Sequence, residues 1–467
     1  MNRFYTKSAL LLLFLVIQSL SCAQIENKNV GWNSVGAILQ DIQPPVFPDK
    51  EFDITSYGAV GDGTTDCTEA INNAVNECSI KGGGKVIVPE GTFLTGAIHL
   101  KSNVNLYISE GAVLKFSEDK TKYLPVVLTR WEGVECMNYS PLIYAYQQEN
   151  IAVTGKGVLD GQGSNTNWWS WKGKKNYGWN KDLPKQDKDR NILFNMADNN
   201  IPPKERIFGA EHYLRPVFFQ AYQCKNILIE GVTLKNSPMW FLNPVLSQNI
   251  SILKVTVEGL GPNNDGCDPE CCIDVLIKGC YFNTGDDCIA IKSGRNTDGR
   301  RVNVPSENII IQDCVMKDGH GGVVIGSEIS GGIKNVFAEN CKMDSPNLDR
   351  AIRIKTNAVR GGIIENIFAR NIDIGEVKEA VLKINFFYEE GENGDFIPVV
   401  RNINLENINS KKSKYALWIK AYKRSPVQQV ILKNCNFEKV EKDNVLENVK
   451  DLETKSVIIN GKEFIFK

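Results

Sequence analysis

The chain has 467 residues, a formal net charge of −1 and a pI near 6.4. A near-neutral chain gives no sign of a nucleic-acid surface, because such surfaces carry an excess of Lys and Arg. The length exceeds the roughly 250–300 residues at which one compact core stops growing, so the sequence predicts several domains or an elongated repeat.

The N-terminus predicts an export signal over residues 1–23. A basic start that includes Arg3 precedes an apolar run over residues 9–17, and Ser21-Cys22-Ala23 offers a small-residue cleavage site. The apolar run is too short to span a bilayer. Cleavage would release a periplasmic or secreted protein, and the alternative is a lipid anchor on Cys22.

Residues 24–50 contain several prolines and little periodicity, and they predict an extended lead-in. The next segment predicts one amphipathic helix that ends at Gly82-Gly83-Gly84. The apolar residues on one face of this helix are Cys67, Ala70, Ile71, Ala74, Val75 and Cys78. A single helix at the start of a β-rich chain is expected to cap an open end of the core.

The rest of the chain predicts short strands in an internal repeat. A polar residue followed by an aliphatic one opens each unit, at intervals of 23 to 36 residues. The openers are Asn226, Asn249, Asp274, Asn308, Asn335, Asn366, Asn402 and Gln429. This pattern indicates an all-β fold, a right-handed parallel β-helix that forms a single domain over residues 51–467. The openers are expected to stack at a turn and to bond from coil to coil.

A column of small apolar residues stands six places after the openers. Its members are Val232, Val255, Cys280, Cys314, Cys341, Ile372, Ile408 and Cys435. Cysteine alternates there with Val and Ile, because free Cys behaves as a small hydrophobe. We therefore expect these cysteines to be buried packing residues, although an exported chain with 13 cysteines also allows disulfides.

Residues 162–213 break the repeat and predict a long loop insertion over the coils. The segment has weak periodicity and contains Trp168, Trp169, Trp171 and Trp179. Tryptophans in such a loop either stack on sugar rings or fold the loop onto itself, and the sequence leaves both possibilities open.

Four bursts of polar residues occur at similar places in successive units. They are Asn263-Asn264-Asp265, Gly285-Asp286-Asp287, Gly319-His320-Gly321 and Arg353-Ile354-Lys355. Because neighbouring coils lie ~4.8 Å apart, these residues would share one face within about 15 Å. Two carboxylates can hydrolyse a glycosidic bond, one as acid and one as base. Arg and Lys suit a substrate that is itself a carboxylate.

In this order the four bursts resemble the polygalacturonases, family 28 of the glycoside hydrolases, from about Phe52 to the C-terminus. The first burst reads Asn-Asn-Asp where Asn-Thr-Asp is usual, which leaves Asp265 in place. The resemblance implies inverting hydrolysis of α-1,4-galacturonosidic linkages in pectin, that is, in homogalacturonan or its oligosaccharides. No cluster of His or Cys has the spacing of metal ligands, because His99, His212 and His320 lie in unrelated segments, so we expect no metal and no cofactor. An inverting enzyme is expected to separate its carboxylates by roughly 6.5–9.5 Å, which leaves room for a water.

The resemblance also implies roles for the residues of the bursts. Asp286 would be the general acid, Asp265 and Asp287 would position and activate the water, and His320 would support protonation of the acid. The expected substrate-binding residues are Arg353, Lys355, Asn263, Lys292 and Gly321. The first two of these would hold the galacturonate carboxylate, in keeping with the basic residues that surround the bursts. Those residues are Lys292, Arg295, Arg300, Arg301, Arg353, Lys355 and Arg360.

Several alternatives stay open. Residues 295–301 and 360–362 resemble segments of the bacterial exo-acting members, and the insertion would block one end of the cleft, but the sequence does not decide between exo and endo action. A rhamnogalacturonan hydrolase is the alternative within the family. A calcium-dependent pectate lyase and a non-catalytic polysaccharide-binding β-helix are more remote. We expect a monomer.

Overall fold

A computed structural model describes residues 30–466 of the chain. The export signal expected over residues 1–23 lies outside these described residues. Each predicted repeat unit forms one coil, and consecutive coils pair in parallel. Ile227 stands opposite Ile250, and Ile250 stands opposite Val275 on the following coil. The predicted parallel β-helix is therefore confirmed.

The largest sheet has 23 strands and covers two faces of the coils, which merge where long strands run through both. Its strands are Glu51–Asp53, Asp62–Asp66, Gly84–Val88, Gly91–Thr95, Val104–Ile108, Ala112–Phe116, Glu149–Gly155, Val158–Asp160, Lys225–Glu230, Thr233–Lys235, Gln248–Leu253, Thr256–Gly259, Ile273–Lys278, Tyr281–Thr284, Ser306–Gln312, Val315–Met316, Ile333–Glu339, Lys342–Met343, Ile363–Glu376, Val399–Lys412, Val427–Phe437, Val449–Ile459 and Lys462–Glu463. The last of these strands turns back antiparallel on its predecessor and closes the final coil.

Three smaller sheets complete the coils. The six-stranded sheet, which we call the site sheet, consists of Ile289–Ile291, Val323–Ile325, Arg350–Lys355, Ala380–Asn385, Tyr415–Lys420 and Val445–Glu447. One three-stranded sheet consists of Ile98–His99, Ile143–Tyr146 and Phe219–Tyr222. The other joins the hairpin of Val127–Trp131 and Val134–Asn138 to Ile207–Phe208.

Four α-helices and six short 3-10 turns lie among the described residues. The helices are α1 (Val35–Asp41), α2 (Thr68–Ile80), α3 (Asp187–Asp198) and α4 (Asn296–Val302). The 3-10 turns are Trp32–Ser34, Ile54–Tyr57, Lys120–Tyr123, Trp168–Lys172, Lys175–Tyr177 and Pro203–Glu205. Within residues 30–466 we find no helix that has both the length and the apolar character needed to cross a membrane.

Helix α2 is the predicted cap. It begins after Asp66, whose carboxylate accepts a hydrogen bond from the Thr68 N–H at 2.9 Å. It ends before Gly82, which adopts the left-handed conformation with φ of 88°. Its apolar face contacts the first coils and belongs to the same hydrophobic core as the coil interior.

The expectation of an extended lead-in is wrong for residues 35–41, which form helix α1. Val35, Ile38 and Ile42 fall at i, i+3 and i+7, a helical spacing that the neighbouring prolines obscured. These side chains pack against the outside of the β-helix, on a cluster that includes Phe337 and Phe368. The lead-in is thus attached along the coils.

The polar openers form the predicted ladder at one corner of the coils. The Asn335 amide donates to Asn308 Oδ1 at 3.0 Å, and Asn366 donates to Asn335 at 2.9 Å. Every opener has positive φ, between 54° and 61°. Asparagine suits this corner because it tolerates the left-handed region better than most residues and its amide both donates and accepts.

The ladder is interrupted at Asp274. Asp274 accepts a hydrogen bond from Asn308, but a carboxylate has no N–H to donate to Asn249 on the preceding coil. The lead-in supplies the missing donor, because the backbone N–H of Gln43 donates to Asn249 Oδ1 at 2.9 Å. The Asn249 amide in turn donates to the Gln43 carbonyl.

The interior of the coils is the main hydrophobic core, and the predicted column lies within it. All its members are at most 1% exposed. The 12 cysteines among the described residues are free and buried. The prediction that Cys280, Cys314, Cys341 and Cys435 are packing residues is confirmed.

Candidate active site

The four polar bursts meet where the chain enters the site sheet. Asp286 and Asp287 precede the strand Ile289–Ile291, and Gly319-His320-Gly321 precedes Val323–Ile325. Arg353 lies on the following strand, where it stands opposite Val324. Parallel pairing in register therefore brings residues that are 20 to 90 positions apart onto one face, as the repeat predicts.

The three carboxylates of the bursts form one cluster. One oxygen from each of Asp265, Asp286 and Asp287 lies within 4.8 Å of the other two. These oxygens are closer together than the 6.5–9.5 Å expected between whole carboxyl groups, because two of the residues are adjacent in sequence and the third is one coil away, ~4.8 Å in a β-sheet. A water still fits between two such oxygens, since each hydrogen bond to a carboxylate spans about 2.7 Å.

Asp286 is paired with His320. The imidazole Nδ1 lies 2.9 Å from Asp286 Oδ1, and the backbone N–H of His320 donates to the Asp286 carbonyl at 3.0 Å. Burial alone would raise the pKa of Asp286, but the hydrogen bond and the positive charge of His320 hold this pKa below its ordinary value. The same hydrogen bond raises the pKa of His320. The pair therefore shares a proton that resides on the imidazole.

Asp287 is buried and faces both cations of the last burst. Lys355 Nζ donates to Asp287 Oδ2 at 2.6 Å, and Arg353 donates to Oδ1 at 3.4 Å. The two side chains point the same way, as their spacing of two on a strand predicts. The centroid of the Tyr388 ring lies 5.5 Å from the Lys355 ammonium and 5.7 Å from the Arg353 guanidinium. Asp287 is thus the hydrogen-bond partner of both Arg353 and Lys355.

Asp265 lies beside a second buried acid, Asp268, and one buried cation, Lys292. The Lys292 ammonium lies 3.6 Å from Asp265, 3.3 Å from Asp268 and 3.3 Å from Glu328. Burial and then the neighbouring acids raise the pKa of Asp265 well above its ordinary value, and burial raises the pKa of Asp268 to about 8. This inner part of the cluster therefore keeps a proton at neutral pH.

Two of the expected substrate-binding residues, Gly321 and Asn263, have structural roles. A Cβ on Gly321 would collide with Val324 and approach Asp287 Oδ1 to 3.4 Å, so only glycine fits this position. Asn263 accepts a hydrogen bond from the buried Arg215 at 2.8 Å, and its side chain lines the pocket described next.

A pocket of ≈160 Å³ opens beside Asp286. Its walls are Glu132, Lys172, Arg190, Trp240, Asn263, Asp265, Asp286, Lys292, Arg295, Ser327, Glu328, Lys355, Tyr388 and Glu389. The volume is well below the ~300–1,000 Å³ of sites for drug-sized ligands, so it suits one sugar unit and not several. His320, which is 52% exposed, lies outside these walls on the solvent side of Asp286.

The insertion supplies one wall of the pocket through Lys172 and Arg190. Its tryptophans serve mainly to hold the insertion in place. Trp168 is 1% exposed and lies edge-on to Trp171, and Trp169 donates from Nε1 to the Ser237 carbonyl at 2.9 Å. The sequence left open whether the tryptophans stack on sugar rings or fold the loop onto itself. In the structure Trp168, Trp169 and Trp171 pack the loop.

The basic residues around the bursts divide into two groups. Lys292, Arg295 and Lys355 line the pocket, and Arg353 lies next to it on Asp287. Arg300, Arg301 and Arg360 instead hold loops together. Arg360, for example, donates to Asn296 at 2.6 Å and joins the two segments that resemble exo-acting enzymes.

Several pocket residues were missed in the sequence. Glu132, Lys172 and Arg190 lie on the hairpin and the insertion, and Tyr388 and Glu389 lie on a loop after the site sheet, where no periodicity marks them. Asp268 had a signal, because it follows Asp265 by three positions in a polar burst that continues as Gly-Cys-Asp.

The spacing of the three carboxylates would also suit a divalent cation. His320, Lys292, Lys355 and Arg353 already contact these acids and supply the compensating positive charge. The donor set therefore does not require a metal for charge balance.

Comparisons with known proteins agree with this geometry. The sequence profile of Glycosyl hydrolases family 28 matches residues 209–457. The profile called Rhamnogalacturonase A/epimerase, pectate lyase-like, matches residues 52–115. The first match includes all four polar bursts.

Similar proteins come from plants and bacteria. A probable polygalacturonase from Vitis vinifera is 29% identical over 82% of this chain and 73% of the relative. An exo-poly-alpha-D-galacturonosidase from Dickeya chrysanthemi is 28% identical over 75% of this chain and 59% of the relative. The crystal structure of a hyperthermoactive exopolygalacturonase from Thermotoga maritima has a TM-score of 0.90 and 47% identity, and covers 92% of this chain and 96% of that chain.

Proposed function

This chain belongs to family 28 of the glycosyl hydrolases, and from that premise we propose that it releases galacturonate units from the ends of α-1,4-linked galacturonan in pectin. The observation that carries the proposal is the cluster of Asp265, Asp286 and Asp287 beside a pocket for one sugar unit, with cations around it. Acid and base groups for hydrolysis and positive charge for an acidic sugar occur together.

Asp286 is the proposed general acid. It is the carboxylate of the cluster that faces both the pocket and solvent, and its side chain is 18% exposed, against 4% for Asp265 and 0% for Asp287. Bound substrate would cover His320 and remove water from the ion pair. Loss of water disfavours the charged forms, so the proton would move from Nδ1 of His320 to Asp286 and onward to the leaving oxygen.

Asp287 is the proposed base for the attacking water, and Asp265 is proposed to position that water. The raised pKa of Asp265 favours a protonated carboxyl there, which suits hydrogen bonding better than proton abstraction. Asp265 Oδ1 also has no hydrogen-bond partner among the described residues, so it is available to a water. Attack by this water on the anomeric carbon would give a product of inverted configuration.

Arg353 and Lys355 are proposed to hold a galacturonate carboxylate close to the bond that is cut. Both lie beside Asp286 and Asp287, and Tyr388 forms a common wall next to them. Lys292, by contrast, contacts three carboxylates and is 2% exposed, so we propose that it mainly balances the charge of the inner acids.

Action on chain ends is supported by the shape of the site. Lys172 and Arg190 of the insertion, together with Glu132 of the hairpin, supply part of the pocket wall. A polymer cannot continue through such a wall, so the unit in the pocket would be terminal. The similar Dickeya and Thermotoga proteins are named as exo-acting enzymes, in agreement with this proposal.

One digestion tests the proposal. Homogalacturonan and rhamnogalacturonan are each incubated with the protein, and the products are sized over time. Monogalacturonate from the first sample onward, with slow shortening of homogalacturonan, is the expected result. Early mid-sized oligomers would indicate endo action, cleavage of only rhamnogalacturonan would support the alternative within the family, and binding without any new reducing ends would support a non-catalytic protein.

The proposed setting is outside the cytoplasm, either periplasmic or secreted, where a pectic polymer is accessible. It rests on the export signal predicted over residues 1–23, with a lipid anchor at Cys22 as the alternative. We propose a monomer, because the pocket is complete within one chain.

A further inference from the structure

Lys172 differs from the other cations of the pocket. Four of them have carboxylate partners. The pairs are Arg190–Glu132 at 2.7 Å, Lys292–Glu328 at 3.3 Å, Arg295–Glu389 at 3.3 Å and Lys355–Asp287 at 2.6 Å. Within residues 30–466, no carboxylate oxygen lies within 4.0 Å of the Lys172 ammonium. Among the cations that line the pocket in the described part of the chain, Lys172 is therefore the one whose ammonium is available to an incoming anion.

The backbone that carries Lys172 is firmly placed. Lys172 is the last residue of the 3-10 turn Trp168–Lys172, which Gly173 ends with φ of 78°. Trp168 is buried in the main core, and Trp169 is tied by its indole N–H to the Ser237 carbonyl. The tryptophans of the insertion thus position Lys172 at the pocket.

The surroundings of Lys172 favour an anion in the pocket. Burial lowers the pKa of Lys172, and the nearby Arg215 and Arg190 lower it further, while Glu132 opposes them. Glu132 is already the partner of Arg190. The Lys172 ammonium is partly shielded from water and has no carboxylate partner of its own. A substrate carboxylate next to it would stabilise its positive charge.

The position of Lys172 selects which sugar supplies that carboxylate. Asp286 lines the pocket, and the exposed His320, which does not line it, contacts Asp286, so we place the departing chain on the His320 side. The sugar that keeps the attacked anomeric carbon then lies in the pocket, and it is the non-reducing end of the substrate. We propose that Lys172 binds the carboxylate of this terminal uronate unit and makes the pocket prefer an acidic chain end. This inference rests on the proposed function.

The test compares two trisaccharides with the same linkage. One is α-1,4-trigalacturonate, and the other has galactose in place of galacturonate at the non-reducing end. Lys172→Gln is expected to lower kcat/KM on trigalacturonate about 10- to 100-fold, the range for one charge-assisted bond. On the galactose-terminated trisaccharide its kcat/KM should stay within about twofold of wild type. Lys172→Arg should recover most of the activity, because it keeps the charge.

Lys174→Gln is the matched control, since Lys174 is exposed in the same insertion and does not line the pocket. As a second readout, free galacturonate should inhibit Lys172→Gln more weakly than wild type by a similar factor. An equal loss on both trisaccharides, or no loss on trigalacturonate, would overturn the inference while leaving the proposed function intact. Wild-type protein that leaves trigalacturonate uncut would overturn the proposed function, and the inference with it.

Discussion

His320 Nδ1 lies 2.9 Å from Asp286 Oδ1, although 34 positions separate the two residues in the chain. The contact exists because each residue precedes a strand of the site sheet and the two strands pair directly. It lowers the pKa of the carboxyl and raises the pKa of the imidazole. One proton shared across this bond connects the charge of an exposed histidine to the acid beside the pocket.

We expect the pH dependence of kcat/KM to report on this pair. The pKa of His320 is raised above 6.5, so the shared proton is kept below that raised value and lost as pH rises through it. Activity should therefore fall on the alkaline side. In His320→Asn the proton can reside only on Asp286, whose pKa Lys355 and Lys292 still lower, so the alkaline limb should move to lower pH. An unmoved limb would contradict the pairing, and His212→Asn, in the insertion, is the control.

Replacement of the proposed acid should abolish turnover. Asp286→Asn keeps the shape of the side chain but has no acidic proton, and loss of a general acid costs roughly 10²–10⁴-fold in rate. Initial rates of reducing-end release measure this loss, and calorimetry should show that an oligogalacturonide still binds. The control is Asp313→Asn, at an exposed left-handed corner of the coil that suits asparagine. Activity within about threefold of wild type would remove Asp286 from the acid role.

Arg353 and Lys355 are expected to differ in their response to the charge of the substrate. Each charge-assisted bond to a galacturonate carboxylate is worth about 1.5–3 kcal/mol, so Arg353→Ala should lose more kcat/KM on free-acid substrate than on methyl-esterified pectin. Lys355 lies closer to Asp287, at 2.6 Å against 3.4 Å, so Lys355→Met should lose activity on both substrates. An equal loss for Arg353→Ala would show that it supports the site and does not recognise the charge. Arg401→Ala, on the outer face, is the control.

Chelation should leave the activity unchanged. The three clustered carboxylates have cations and His320 as partners, and hydrolysis by acid and base needs no metal. Rates with and without EDTA measure this, together with ultraviolet absorbance of the products. Loss of activity on chelation with recovery on adding calcium, and products that absorb, would instead establish a lyase.

The first-formed product should have the β configuration. A water held by Asp265 and Asp287 would attack the anomeric carbon from the face opposite the departing oxygen, which inverts the α linkage. Proton NMR in the first minutes of hydrolysis distinguishes the anomers before they interconvert. An initial α product would mean a covalent intermediate, for which the short carboxylate spacing in the cluster would then be the structural cause.

The sequence was sufficient for the fold because the same residue types recur at each coil. Asn308, Asn335 and Asn366 mark the corner, and the Val, Ile and Cys column six positions later marks the interior. The four polar bursts also met as expected, since a parallel sheet brings equivalent positions together. Helix α1 was missed because only about two turns carry its apolar spacing, beside several prolines.

The closed side of the site could not be predicted in the same way. Lys172 and Arg190 lie in an insertion whose position over the coils depends on tertiary packing of Trp168 and its neighbours. The sequence also could not predict which of these carboxyl groups keeps a proton. The opposite pKa shifts of Asp265 and Asp286 depend on burial and on the partners that each carboxylate contacts.

The gap in the asparagine ladder at Asp274 lies between the two coils that carry Asp265 and Asp286. Asp265 lies on the coil that opens at Asn249, and Asp286 lies on the coil that opens at Asp274, so the missing side-chain rung falls between these two carboxylates. Gln43 fastens the Asn249 side of this seam from the lead-in, which packs through α1 against later coils. The lead-in therefore braces from outside the coil that carries Asp265, at the corner that Asn249 opens. Truncation of the chain past Gln43 would remove both of its hydrogen bonds to Asn249, and with them the only fastening of this seam that comes from the lead-in among the described residues.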